Sequence, residues 1–332
     1  MADLKTRYMG LELDNPIIAG SSGITGSIDG VRRCADAGAG AVVLKSMLEE
    51  LIIAQSEDLE HELIQSEHPE AYEYIRAELG MQLGPRPYLK YIEDVKNHVS
   101  LPVITSVNCI SSKWWIPYAQ NIESAGADGL ELNISHFPGR TEESSRDIEQ
   151  RYSDIVAEVT GCISIPVAVK LGYYFTSVCN VIDSVVAAGA RAVVLFNRYY
   201  AVDVDIDKKS ITPGMTLSSP MEMLAPLRWT GLLSPETTCD IAASTGIHDS
   251  RSVIKMLMVG AAAVQVCSAL YTQGPEYITT LREGIDSWLD EKGYASVADI
   301  QSAAVRDAEH TDILLKRLQY VKALEDSAKY EY

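Results

Sequence analysis

No apolar run in this 332-residue chain approaches the ~20 residues of a membrane span, so no membrane-embedded role is expected. Basic residues are also scarce: 28 lysines and arginines face 46 aspartates and glutamates, for a formal net charge of -18. That balance counts against nucleic acid and anionic lipid as partners, although a locally basic pocket can still take an anionic ligand. The six cysteines (Cys34, Cys109, Cys162, Cys179, Cys239 and Cys267) include no Cys-x-x-Cys pair and no metal-ligand spacing. Several lie in or beside apolar runs and read as reduced core thiols, which points to the cytoplasm and to no bound metal. A nicotinamide fingerprint is missing too, because Gly38 and Gly40 precede a strand, whereas Gly-x-Gly-x-x-Gly has to follow one and open a helix. No proline-, serine- or glycine-rich linker divides the chain and no secretory leader is read at its start. A single domain over residues 1–332 is expected.

What is present is a phrase repeated four times: a helix end, Gly-Ala, then a mostly apolar strand. It reads Ala37-Gly38-Ala39-Gly40-Ala41-Val42-Val43-Leu44-Lys45, and again at Ala125–Asn133, Ala188–Asn197 and Val259–Cys267. Glycine just past a helix takes the left-handed cap conformation cheaply, and the apolar run that follows suits a strand buried on both faces. Repeated units of this kind build either a (β/α)8 barrel or a doubly wound sheet. Eight strand candidates favour the barrel: Ile17–Ser21, Ala41–Lys45, Val103–Val107, Gly129–Asn133, Val167–Leu171, Ala192–Asn197, Asp240–Ser244 and Ala262–Cys267. Helices fall between them, among them Ser144–Val159 and Asp249–Met258, the latter opened by an Asp249 cap. Met1 to Asn15 reads as a short strand pair around Met9-Gly10. Two connections are long insertions, after the second strand (47–100) and after the sixth (198–238), and the latter carries a β-hairpin pattern at Val202–Ile211. Residues 303–332 read as a helical tail packed on the barrel exterior or at an oligomer contact.

The strand ends are Ser21-Ser22-Gly23, Lys45-Ser46, Asn108, Asn133, Lys170, Asn197, Thr245-Gly246 and Cys267-Ser268. A barrel brings all of them to one mouth. A strand-end asparagine satisfying a loop carbonyl explains any one of these, but buried amides and ammonium groups are costly, and seven of eight strands ending so exceeds capping. The groups suit a flat, polar, anionic heterocycle: amides present paired donors and acceptors, and lysine stabilises electron density growing on a ring. The small residues after strands seven and eight suit a phosphate.

In this order and combination the residues resemble the dihydroorotate dehydrogenase family, specifically its soluble class 1 branch. The resemblance is carried by Asn15-Pro16 with Ser21-Ser22-Gly23, Leu44-Lys45-Ser46, Glu131-Leu132-Asn133-Ile134-Ser135, Val169-Lys170-Leu171, Asn197, Thr245-Gly246-Ile247, Gln265-Val266-Cys267-Ser268-Ala269-Leu270, Gly274-Pro275-Glu276 and Gly293-Tyr294-Ala295-Ser296. It runs from about residue 4 to about residue 302. It implies FMN as cofactor, with Ser21, Ser22, Gly23, Lys45 and Ser46 lining the flavin and Lys170 beside its N1/O2 locus. Asn108, Asn133 and Asn197 bind flavin or substrate edges, Lys45 also lies near the substrate, and Thr245, Gly246, Cys267 and Ser268 hold the phosphate. The implied reaction takes a proton from C5 of dihydroorotate and passes hydride from C6 to flavin N5, in pyrimidine biosynthesis. A homodimer is implied as well.

The departures fall on the substrate side. Where the class 1 pattern has Cys-Pro-Asn, with cysteine as base, this chain has His136-Phe137-Pro138, and His136 is the candidate replacement base. Asn-Ser-Met-Gly-Leu has no counterpart in residues 61–90. The usual Thr-Gly-Gly is Ser244-Thr245-Gly246, and the usual Val-Asn-Ser is Phe196-Asn197-Arg198, which makes Arg198 a candidate partner for a substrate carboxylate. Cys109 reads as buried filler before it reads as a base. Competing readings are an FMN enzyme for another dihydropyrimidine-like substrate, a flavin-free phosphate-binding lyase using Lys170 or Lys45, and a non-catalytic binding descendant.

Overall fold

The computed structural model describes residues 2–48, 85–108, 115–134, 136, 139, 141–199, 201–214, 216–307 and 315–316. The chain opens with an antiparallel pair, β1 (Thr6–Tyr8) and β2 (Leu11–Leu13), turning at Met9-Gly10. Then come β3 (Ile17–Ala19), β4 (Ala41–Val43) and a short β5 (Met47–Leu48), followed by β6 (Val103–Asn108), β7 (Gly129–Asn133), β8 (Val167–Leu171) and β9 (Ala192–Leu195). The hairpin β10 (Val202–Asp205) and β11 (Ser210–Pro213) precedes β12 (Asp240–Ser244) and β13 (Ala263–Val266). Parallel pairing runs β3–β4–β6–β7–β8–β9–β12–β13, and β13 pairs back onto β3. Eight parallel strands therefore close into a (β/α)8 barrel, as the repeats imply.

Every expected strand is present. Four come out shorter by one or two residues at an end, and among the positions that leave the ladder for the loops of the mouth are Ser21, Lys45, Asn197 and Cys267. The two helices come out as Ser145–Thr160 and Ser250–Met258, with Ser144 and Asp249 accepting the N–H bonds of their first turns. Gly38, Gly126, Gly189 and Gly260 all have positive φ, so the repeated glycine is the left-handed turn between helix and strand.

Alternation along each strand separates two cores. Ile18, Ala41, Val43, Ile104, Ala168, Ala192, Val194, Ala242 and Ala263 fill the barrel interior, while their neighbours in sequence pack outward under the helices. Alanine dominates inside because eight strands leave little room. The β1–β2 pair closes the N-terminal end: Tyr8, Met9 and Leu13 join the interior cluster, and Met9 N–H donates to Asp240 Oδ2 at 2.7 Å. The C-terminal end is not covered by this pair.

The expected insertions are present, after β4 and after β9. In the first, β5 and the helix Pro85–His98 are described, while 49–84 lies outside the described residues. In the tail, residues 301–307 form turns rather than helix. Leu315–Lys316 is helical, with the Leu315 side chain close to Gly231 on helix Leu224–Leu233, and the remainder lies outside the described residues. Cys109 also lies outside them.

Gly40 is a point of close backbone approach just before β4. A Cβ there would sit 2.0 Å from the carbonyl oxygen of Asn15, whose buried side chain ties Gly38 O to Ile17 N. Gly40→Ala is expected to cost about 1–3 kcal/mol by overpacking, seen as a lower Tm. An unchanged melting temperature would contradict this packing.

Candidate active site at the C-terminal mouth of the barrel

The inward polar layer follows from the alternation that fills the barrel. In Leu130-Glu131-Leu132 and Val169-Lys170-Leu171 the flanking residues belong to the outer core, so the central charge points inward. Val264-Gln265-Val266 does the same. These three side chains meet: Gln265 Nε2 donates to Glu131 Oε2 at 2.5 Å, Lys170 Nζ donates to Gln265 Oε1 at 3.1 Å, and Lys170 Nζ lies 3.5 Å from Glu131 Oε1. Glu131 is 1% exposed, Gln265 2% and Lys170 8%. Below them stands Tyr8, whose hydroxyl burial pushes far above the usual phenol range, with Glu131's charge adding to the shift. Sequence inspection confined to strand ends misses Glu131, Gln265 and Tyr8, although a charged residue inside an apolar strand is itself the signal.

Attraction between unit charges ~4 Å apart is about 4 kcal/mol at an effective dielectric of ~20, whereas removing each ion from water costs several kcal/mol. The pair therefore adds little net stability, yet losing one partner strands the other. Glu131 Oε1 already makes no hydrogen bond.

Around this cluster the other strand ends converge. Asn197 Nδ2 donates to Asn133 Oδ1 at 2.9 Å, and register places Asn133 beside Lys170. Ser21 Oγ lies 3.1 Å from Ser46 Oγ, which lies 2.7 Å from Ser106 Oγ, linking three strands through hydroxyls. Asn108 ends β6 in register with Leu48. The Lys45 backbone N–H bonds Thr25 O, and its stem lies against Gly26. Ser22 N–H goes to Thr25 Oγ1 and Gly23 N–H to the Tyr271 hydroxyl.

A second polar nest forms after β12 and β13. Thr245 and Gly246 both have positive φ, and a Cβ on Gly246 would sit 2.2 Å from the Met223 backbone nitrogen. Gly246 N–H donates to Ser218 Oγ at 3.3 Å, while Ser218 N–H and Oγ both donate to Ser268 Oγ at 2.9 Å. Ser218 lies in the second long insertion, where sequence offered no signal. Cys267 is half-buried with its Sγ directed to Ser21 O, and desolvation pushes its thiol above the usual range. Its sulfur lies against Gly20, where a Cβ would meet it at 2.5 Å.

Arg198 has internal partners. Its guanidinium donates to Glu222 Oε1 at 2.7 Å, Thr216 O at 2.8 Å and Leu217 O at 3.1 Å, pinning the segment that carries Ser218. Burial pushes the Glu222 carboxyl up, but the Ser219 N–H and Arg198 outweigh it and hold it below the usual range. His136 is also engaged: Nε2 faces Glu143 Oε2 at 2.8 Å and Nδ1 faces Arg151 Nη1 at 2.9 Å. Arginine can only donate, so Nδ1 is the acceptor and the ring proton sits on Nε2. Its backbone carbonyl accepts from Tyr174, whose hydroxyl also meets Tyr152 and Tyr199.

The donor set suits a flavin mononucleotide. Lys170 offers a buried three-donor ammonium, one donor of which goes to Gln265, and the Asn133–Asn197 amides and the hydroxyl nest stand beside it. A sequence model of the family described as dihydroorotate dehydrogenase matches residues 3–289. A putative dihydroorotate dehydrogenase A (fumarate) of Aeropyrum pernix is 31% identical over 229 residues, covering 67% of this chain and 74% of that protein. A dihydroorotate dehydrogenase B (NAD(+)) catalytic subunit of Thermoplasma acidophilum is 28% identical over 317 residues, covering 92% of this chain and all of that protein. A protein of the same description from Methanosarcina acetivorans is 28% identical over 303 residues, covering 88% and 93%. The chain belongs to the dihydroorotate dehydrogenase family. It is an oxidoreductase acting on CH–CH groups with FMN as cofactor. No helix among the described residues is long and apolar enough to cross a membrane.

Nitrogen-15 NMR of the His136 ring is expected to show the Nε2–H tautomer at neutral pH; a proton on Nδ1 would contradict the Arg151 contact. The His136 hydrogen bond and Arg151 hold the Glu143 carboxyl below the usual range against the opposing effect of burial. The cluster's contribution is then complete above ~4.3 and is lost as pH falls through the lower folded value. Glu143→Gln should therefore lower Tm at neutral pH and leave it unchanged in strong acid. A Tm difference that persists there would contradict the assignment.

Proposed function

We propose that this enzyme oxidises dihydroorotate to orotate in pyrimidine biosynthesis, working at the C-terminal mouth of the barrel. The observation that carries this reading is the buried Lys170–Gln265–Glu131 cluster beside the Asn133–Asn197 amide pair. When bound, FMN supplies a two-electron acceptor. Lys170 stabilises negative charge that grows above it, and Lys45 adds a second cation toward the substrate. Asn108, Asn133 and Asn197 orient polar ring edges by paired donors and acceptors. Ser21, Ser22, Gly23 and Ser46 line the ring, while Thr245, Gly246, Cys267 and Ser268 form the phosphate end. Arg198 we assign to holding the 216–222 segment in place instead of to the substrate carboxylate.

His136 is the proposed base. Glu143 accepts from Nε2–H and stabilises the ring when it gains a proton, which leaves Nδ1 to receive the C5 proton of the substrate. The step requires the Arg151 guanidinium, which donates to Nδ1 in the resting site, to move off that nitrogen. The protein is proposed to be cytoplasmic, in keeping with free thiols at Cys34, Cys162, Cys179, Cys239 and Cys267. A homodimer is supported by the β10–β11 hairpin, which shows Val202, Val204 and Ile211 to solvent on one face.

Anaerobic addition of dihydroorotate to the FMN-loaded protein is expected to bleach the absorbance near ~450 nm. His136→Ala should keep the flavin and slow that bleaching by about 10²-fold or more, the scale of a lost general base. Persistent absorbance in the wild-type protein would assign the site to another dihydropyrimidine-like substrate. Unchanged kinetics in the variant would remove His136 from the reaction. Fumarate and NAD(+) appear in the relatives' names, and comparing reoxidation rates with each assigns the acceptor.

A further inference from the structure

Glu131 has no part in the reaction as described, yet it is among the most deeply buried charges of the barrel. Its strand places it two residues before Asn133, which is in register with Lys170, so it sits one step below the lysine. Gln265 locks the arrangement: one end of its amide donates to Glu131 and the other accepts from Lys170. Neither residue has conformational freedom to spare, since Glu131 is 1% exposed and Gln265 2%. Toward the floor, the interior cluster of the described residues is Tyr8 with apolar side chains such as Ile18, Ile104, Ala168 and Ala242, none of them a cation.

From this geometry we infer that Glu131 is a positioning residue that offsets the charge of Lys170, and so limits how strongly the mouth prefers the reduced, anionic form of its cofactor over the oxidised form. The inference rests on the reading of the mouth as the flavin site. With both residues charged, the cluster presents a dipole to a ring above it. With Glu131 neutral, it presents a full positive charge, and a ligand gaining negative charge is held more tightly. Glutamine at 131 keeps the shape and still accepts the bond from Gln265, so the substitution isolates the charge.

The test is anaerobic titration of oxidised and of chemically reduced FMN into wild-type, Glu131→Gln, Glu131→Asp and Lys170→Met proteins. The ratio of the two Kd values should move about tenfold toward the reduced form in Glu131→Gln, equivalent to about 30 mV for a two-electron couple. A smaller shift in the same direction is expected for Glu131→Asp, which carries the test if the glutamine variant does not fold. Lys170→Met should move the ratio the other way. A ratio that stays at the wild-type value in both Glu131 variants, or that moves toward the oxidised form, overturns the inference.

Melting of the cofactor-free proteins separates this outcome from failure of the flavin reading. Glu131→Gln and Lys170→Met should each lower Tm, and the double variant should recover most of the loss, because both buried charges are then gone. Additive losses overturn the pairing itself. Wild-type protein that takes up neither form of FMN overturns the flavin reading, and the inference with it, even where the melting cycle shows coupling.

Discussion

A lysine ammonium inside a closed barrel has to meet an opposite charge and a hydrogen-bond acceptor, and in this protein both come from other strands. Glu131 on β7 and Gln265 on β13 reach Lys170 on β8, so the position of the mouth's buried cation depends on strands from nearly opposite parts of the chain. The pair contributes little to folding on its own, because desolvating two ions offsets their attraction. Its consequence is geometric: a fixed positive charge at the one end of the barrel that the β1–β2 pair does not close. The amide pair and the serine hydroxyls gain their meaning from that fixed point.

The barrel makes such a point possible by dividing labour along each strand. Small interior residues such as Ala168, Ala192, Ala242 and Ala263 allow the strands to close, and the plug of Tyr8, Met9 and Leu13 excludes water from below. Glu131, Lys170 and Gln265 occupy inward positions toward the C-terminal ends of their strands, while Asp240 at the start of β12 is taken up by the Met9 N–H of the plug. The long insertion after β9 contributes as well. Arg198 and Glu222 pin its 216–222 segment so that Ser218 meets Gly246 and Ser268, which joins a loop distant in sequence to the ends of β12 and β13.

The eight strands were legible because the Gly-Ala phrase marks four of the helix-to-strand turns and because a strand buried on both faces is mostly apolar. Lys170, Asn133 and Asn197 were legible as polar residues ending such strands, and the structure brings Asn133 and Asn197 into contact. Period-two alternation in Leu130-Glu131-Leu132 and Val264-Gln265-Val266 points both polar side chains inward, a signal that lies before the strand ends. The partners of His136 and Arg198 were not legible. Glu143 and Arg151 reach His136 only once the loop folds back on helix Ser145–Thr160, and Glu222 reaches Arg198 only through the path of a long insertion. In the helical tail read from residue 303 onward, the backbone turns through 301–307, with Ser302 at positive φ, and is helical at Leu315–Lys316.

A crystal structure of the protein grown with FMN tests the account most directly. The account predicts the pyrimidine edge of the ring within about 3.2 Å of Lys170 Nζ, and the phosphate on the Gly246 and Ser268 nest. A ring bound away from Lys170, or a phosphate held elsewhere, would contradict it.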